Sequence, residues 1–116
     1  LQTIKNKIEG DRREVEFLDK LKKKNPGKTI QCQCYLRDSS GKSVKDPETG
    51  ERRRVDNVVI DGKNGKAYEV TSQTADKSAQ IEKEIRIRNA GGEYVRNRST
   101  GELVRIGKVS EVVRID

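Results

Sequence analysis

The chain has 116 residues, 39% of them charged and 30% hydrophobic, and 26 Lys and Arg against 19 Asp and Glu give it a formal net charge of +7. That is one domain's worth of sequence, residues 1–116, with a thin supply of core residues, and its basic balance points to nucleic acid, an anionic membrane or an acidic protein. The absence of His removes Ser/His/Asp and Cys/His catalysis, the two-His ribonuclease mechanism and His-ligated zinc, so any chemistry must run on carboxylates, Lys, Arg, Tyr, hydroxyls and an oxygen-bound metal.

The Leu1 start reads as that of an excised fragment, with no signal peptide and no apolar run long enough to span a bilayer. Residues 2–24 read as a helix that breaks or restarts near Gly10, where Asp11 and Glu14 resemble a capping box. Glu14, Phe17, Leu18 and Leu21 fall at i, i+3, i+4 and i+7, which puts Glu14 on the core-facing stripe. Asn25-Pro26-Gly27 ends the helix.

Residues 28–36 alternate as a half-buried strand, with Ile30, Cys32, Cys34 and Leu36 on one face and Thr29, Gln31, Gln33 and Tyr35 on the other. Both cysteines are then small core residues, poorly spaced for a disulfide. The polar stretch 37–51 reads as a long hairpin connection or mobile loop. Residues 53–60 predict a central strand, Asp61 to Gly65 a tight turn, and 66–72 a partner strand with Ala67, Glu69 and Thr71 on one face and Tyr68 and Val70 on the other. Thr74 can cap a helix over 75–89 whose buried side carries Ile81 and Ile85, and Ala90-Gly91-Gly92 stops it. Three short strands follow, Glu93–Asn97, Glu102–Ile106 and Glu111–Ile115, the first two forming a hairpin that offers an exposed edge to a partner strand. The order α-β-β-β-α-β-β-β predicts an α/β (α+β) fold: a mixed sheet flanked by helices.

Asp56 interrupts an apolar strand beside Val58 and Ile60, where an isolated carboxylate is costly to bury. Glu69 sits similarly on the next strand, and Glu14 supplies a third carboxylate from the first helix. Together they suit one divalent cation with oxygen ligands. Each also has a purely structural reading. Asp56 would pair with Arg53, Arg54 or Arg86, Glu69 would face solvent on an edge, and Glu14 would cap the helix.

The run Val-Asp56, a turn, Tyr-Glu69-Val-Thr71, a helix with Lys77 and Gln80, then Gly91-Gly92-Glu-Tyr-Val-Arg, resembles the PD-(D/E)XK nuclease superfamily. More narrowly, it is similar to the C-terminal toxin domains of contact-dependent growth inhibition and related polymorphic toxin proteins. The resemblance covers roughly residues 50–116, the first helix matching as the glutamate-bearing helix. It implies a restriction-endonuclease-like sheet, a divalent metal ion (Mg²⁺ or Zn²⁺) on Asp56 and Glu69, and assistance from Glu14. The family lysine, two residues after the Glu, is replaced here by Thr71; Lys77 restores the charge from the next helix, or Thr71 positions water or phosphate with its hydroxyl. The implied activity is metal-dependent phosphodiester hydrolysis, with Arg53, Arg54, Arg86 and Arg88 binding phosphate. The resemblance further implies a secreted or cell-surface toxin acting in the target-cell cytoplasm, a cognate immunity protein and a host factor. Scarce aromatics argue against a base-stacking platform and for a folded or double-stranded substrate, and the Thr71 departure from the family pattern puts tRNA ahead of DNA. The rival readings are a DNase toxin of the same fold, a non-catalytic nucleic-acid-binding module, a toxin with another reaction and a protein-interaction domain.

Overall fold

A computed structural model describes the backbone of residues 2–115 and the side chains of residues 11–115; Leu1 lies outside the described residues. Helix α1 (Gln2–Lys24) is followed by strands β1 (Thr29–Tyr35), β2 (Arg54–Asp61) and β3 (Asn64–Thr71). Helix α2 (Ser78–Asn89) then leads to β4 (Tyr94–Arg96), β5 (Leu103–Ile106) and β6 (Glu111–Arg114). This is the predicted α/β order: a six-stranded mixed sheet with two helices. Among the described residues no helix is long and apolar enough to cross a membrane.

The strands run β1-β2-β3-β5-β4, and β6 also pairs with β3. The first three are antiparallel neighbours, and a two-residue turn at Gly62-Lys63, between the paired Asp61 and Asn64, joins β2 to β3. Gly62 has φ +64°, a conformation that disfavours any side chain. Strand β3 takes two parallel partners in series, β5 beside Asn64–Gly65 and β6 beside Tyr68–Thr71. Parallel pairing needs a crossover, and α2 with the β4–β5 hairpin supplies it.

Two cores lie on opposite faces of the sheet. Under α1, Phe17 and Leu21 pack on Val59 and Val70, and the Phe17 and Tyr68 rings meet edge to face at 5.3 Å. The larger core joins Cys34, Leu36, Val55, Val58 and Ile60 to Val95, Val104 and Ile106, with Ile87 the sole contribution of α2. The helix stripe of Glu14, Phe17, Leu18 and Leu21 is as predicted, but α1 runs through Gly10 unbroken. Glu14 is therefore mid-helix and caps nothing.

Several local expectations are corrected. Segment 37–51 is tied down. Arg37 bridges to Ser43 and Tyr94, and the buried Asp46 accepts two hydrogen bonds from Arg86 at 2.8 Å. Those bonds hold the Asp46 carboxyl well below the usual carboxylate range and the Arg86 guanidinium well above its own. The Arg37–Tyr94 bridge also closes the hairpin edge expected to be open, and Arg98 covers the Cys32 and Gln33 carbonyls. Helix α2 starts at Ser78, where Asp76 rather than Thr74 accepts the Ser78 N–H and O–H. Its buried residues are Glu84 and Ile87, while Ile85 is 43% exposed. Glu84 must face inward to meet Arg53, and residue 85, a further 100° around the helix, is thereby turned out.

Candidate active site

The site is set by an irregularity shared between β1 and β2. Strict alternation puts Asp56 with Val58 and Ile60. Instead Val55, Val58 and Ile60 share the larger core, while Asp56 and Asn57 both line a cleft under α1. On the facing strand Gln33 has φ +55°. Gln33 and Asp56 fall between the pairs Cys32↔Asn57 and Cys34↔Val55, so both strands switch faces at the same level without losing register. The switch also separates the cysteines: Cys34 is buried in the core and Cys32 is exposed.

The ladder between β2 and β3 ends at Asn57↔Tyr68. Past that point the Val70 N–H donates to Asp56 Oδ2 at 2.9 Å, so a side chain takes over from the backbone where the strands part. Asp56 Oδ1 makes no hydrogen bond among the described residues. Asp56 pairs with none of Arg53, Arg54 or Arg86.

The cleft has a volume of about 260 Å³, with Asp11, Glu14, Val15 and Leu18 of α1 on one side and Cys32, Gln33, Asp56 and Asn57 on the other. Glu14 is half-buried, and its pKa is raised above the ordinary 4.5 by burial first and then by Asp56, Asp11 and Glu69. Burial also raises the Cys32 thiol, with help from Cys34 and Glu14, and its Sγ donates to Asn57 Oδ1 at 3.4 Å. Held as a thiol, Cys32 is a poor nucleophile at neutral pH.

Glu69 lies on the opposite face of β3, level with Ala67 and Thr71, and is 4% exposed, not the solvent-facing edge residue of the structural reading. Arg53 Nη2 donates to its Oε2 at 2.8 Å, and Lys77 Nζ stands 3.6 Å from its Oε1. Arg53 Nε donates to Glu84 Oε1 at 3.2 Å, and Glu84 also accepts the Ser110 N–H and O–H. The chain thus builds a dry network, Lys77–Glu69–Arg53–Glu84–Ser110, behind the cleft. Burial lowers the Arg53 pKa, but Glu69 and Glu84 outweigh it and the net shift is upward. Burial raises the Glu69 pKa, Arg53 lowers it, Asp56 raises it again, and the net is upward.

The cleft therefore brings together Glu14 and Asp56. Glu69, Thr71 and Lys77 gather on the other face, with Thr71 buried two residues beyond Glu69. Of the arginines expected to bind phosphate, Arg53 is buried between carboxylates. Arg86 is committed to Asp46 and Glu48, and Arg88 lies 3.9 Å from Glu93. Only Arg54 is exposed and free of an ion pair. Arg53 and Val55 share a strand face by period two, so the inward aim of Arg53 was readable. Glu84 carried a weaker signal, its place between Ile81 and Ile87 on one helix stripe.

Among the described residues no three His, Cys, Asp or Glu side chains converge on one metal position as they stand. The donor chemistry nevertheless fits a divalent cation at Glu14 and Asp56, two carboxylates that line one cleft with no cation between them among the described residues, Asp56 adding to the cost of charging Glu14. It does not fit Glu69, whose oxygens are taken by Arg53 and Lys77. The chain matches no family model, no curated protein and no solved structure.

Proposed function

We propose that this chain is a nuclease domain that hydrolyses phosphodiester bonds in the cleft between α1 and strands β1 and β2. The observation that carries the reading is the pair Glu14–Asp56, without a cation partner among the described residues, at a break in the sheet in a chain of net charge +7 without His. A divalent cation held by Asp56 and Glu14 would supply Lewis acidity and a bound water of lowered pKa. Asp56, fixed by the Val70 N–H, is the oriented group. Glu69, with Lys77 and Arg53, sets the field behind them. The resemblance to polymorphic toxins extends the proposal to an antibacterial role, with a cognate immunity protein and a host factor.

The test is cutting of total RNA and plasmid DNA by the purified chain, with Mg²⁺, Zn²⁺ or EDTA, beside Asp56→Ala. Cation-dependent cutting lost in the variant is the expected result. No cutting of either polymer by folded protein, even with cell extract added, would sink it. The second reading, a non-catalytic nucleic-acid-binding module, is favoured by one observation: the Glu69 carboxylate is neutralised by Arg53 rather than open to a ligand.

A further inference from the structure

Two groups of cations among the described residues contrast. Arg53, Arg86 and Arg88 end on carboxylates. Lys45, Arg52 and Arg54 end on none among the described residues, and with Tyr35, Gly50 and Glu51 they line an open groove of about 420 Å³. Glu51, the single acid there, is drawn to Lys83 at 3.7 Å. The groove thus sets three cations against one acid that is itself paired with Lys83, a net positive surface of the kind that attracts phosphate.

Tyr35 gives the groove its second feature. Phe17 and Tyr68 pack against each other, whereas Tyr35 stands 38% exposed at the end of β1. The Arg54 guanidinium lies 5.8 Å from its ring centroid, and the two residues are cross-strand partners. An exposed ring backed by a guanidinium is a platform for a flat π-system. In a duplex the base faces are already stacked on one another, so only an unpaired nucleotide can offer a free face to the ring.

The groove also adjoins the cleft. Arg54 and Asp56 flank Val55, which points into the core, so both lie on the opposite side of β2, about 6.6 Å apart along the strand.

We infer that this groove binds single-stranded or loop nucleic acid, with one base stacked on Tyr35 and the flanking phosphates on Lys45, Arg52 and Arg54. The inference deepens the nuclease proposal by naming its substrate class, and rests on that proposal only for what happens at Asp56. It narrows the expectation of a folded or double-stranded substrate to the unpaired segments of a folded one, because that expectation followed from the number of aromatics rather than from where one of them stands.

The experiment is fluorescence anisotropy of the full chain in EDTA with a labelled RNA strand of roughly 12 nucleotides, the same strand as DNA, and each annealed to its complement. The single strand binds at least about tenfold more tightly than its duplex, and Tyr35→Ala weakens it by about tenfold while Tyr35→Phe does not. Arg52→Ala and Arg54→Ala each lower the slope of log affinity on log salt by about one. Tyr35→Leu keeps the apolar bulk without the aromatic face, and matches Tyr35→Ala if stacking is the cause. Equal affinity for strand and duplex, unchanged binding by folded Tyr35→Leu, or no binding at all overturns the inference. Tyr35-dependent binding without cutting in Mg²⁺ would remove the nuclease proposal alone. Cutting that needs Asp56 but ignores Tyr35 would remove this inference alone.

Discussion

Two pairs of carboxylates stand on opposite faces of the same strands and meet opposite fates. Glu69 and Glu84 are buried, and a single guanidinium lies between them with Ser110 and Lys77 closing the remaining valences. Glu14 and Asp56 are half-buried, line one cleft, and have no cation between them among the described residues. The difference is one of environment, not of residue type. Where water is excluded, acids must be neutralised for the chain to fold; where a cleft stays open, unneutralised acids can persist and are left for a ligand to neutralise.

The buried pair should be the costlier to disturb. Arg53→Ala leaves Glu69 and Glu84 without their shared cation, and the expected loss is about 3–5 kcal/mol in urea denaturation, the scale for breaking a buried ion pair. That is a large part of the stability of a chain with so thin a core. Arg53→Lys does not restore it, because an ammonium cannot fork between two carboxylates. A loss under about 1 kcal/mol would mean that water reaches the network, and the contrast between the faces would fail.

Asp56→Asn probes the open side, and here the effect is on activity. The amide oxygen still accepts the Val70 N–H, so stability should change by less than about 1 kcal/mol. Cutting should fall by roughly 10²-fold or more. A folded Asp56→Asn chain that cuts at the native rate would show that the cleft is not the reacting site.

A third test sharpens the comparison through acid. Asp46 is held below the ordinary carboxylate range by Arg86 first, so its contribution to stability is present above its unfolded value, near 3.8, and is lost as pH falls through the folded value. Asp46→Asn should lower the melting temperature at pH 7 and leave a shallower loss of stability below about pH 4. Equal acid profiles for the two proteins would disconnect the 37–51 segment from α2.

Element order was legible because it rests on periodicity, which each segment carries within itself. What escaped lay in pairings far apart in sequence. Asp46 reads as a loop residue until Arg86, 40 positions on, is placed against it. Glu84 reads as a solvated helix position until Arg53 is known to be inward. The cleft was half-legible. Asp56 stood out as an acid in an apolar strand, and Glu14 as an acid on an apolar stripe. That they meet depends on the φ of Gln33, a single backbone angle that no side-chain pattern announces. The same irregularity goes with Cys32 lying outside the core.

The smallest effect expected is also the most diagnostic in sign. The pKa of Glu14 is raised in the fold, by burial and then by Asp56, so the folded chain binds its proton more tightly than the unfolded chain does. Its contribution to stability is therefore full below the ordinary value of 4.5 and declines as pH rises through the folded value, the reverse of Asp46. At pH 7 in EDTA the native chain carries this penalty, and Glu14→Gln, which cannot ionise, does not. The variant should be more stable by roughly 0.5 kcal/mol, the scale of a like-charge contact in a partly solvated place, and the advantage should vanish near pH 4. Excess Mg²⁺ should then stabilise the native chain more than the variant, since a cation bound by the native pair offsets the same repulsion. A Glu14→Gln chain less stable than the native one at pH 7 would mean that the Glu14 charge is already compensated, and the two faces would no longer differ in kind.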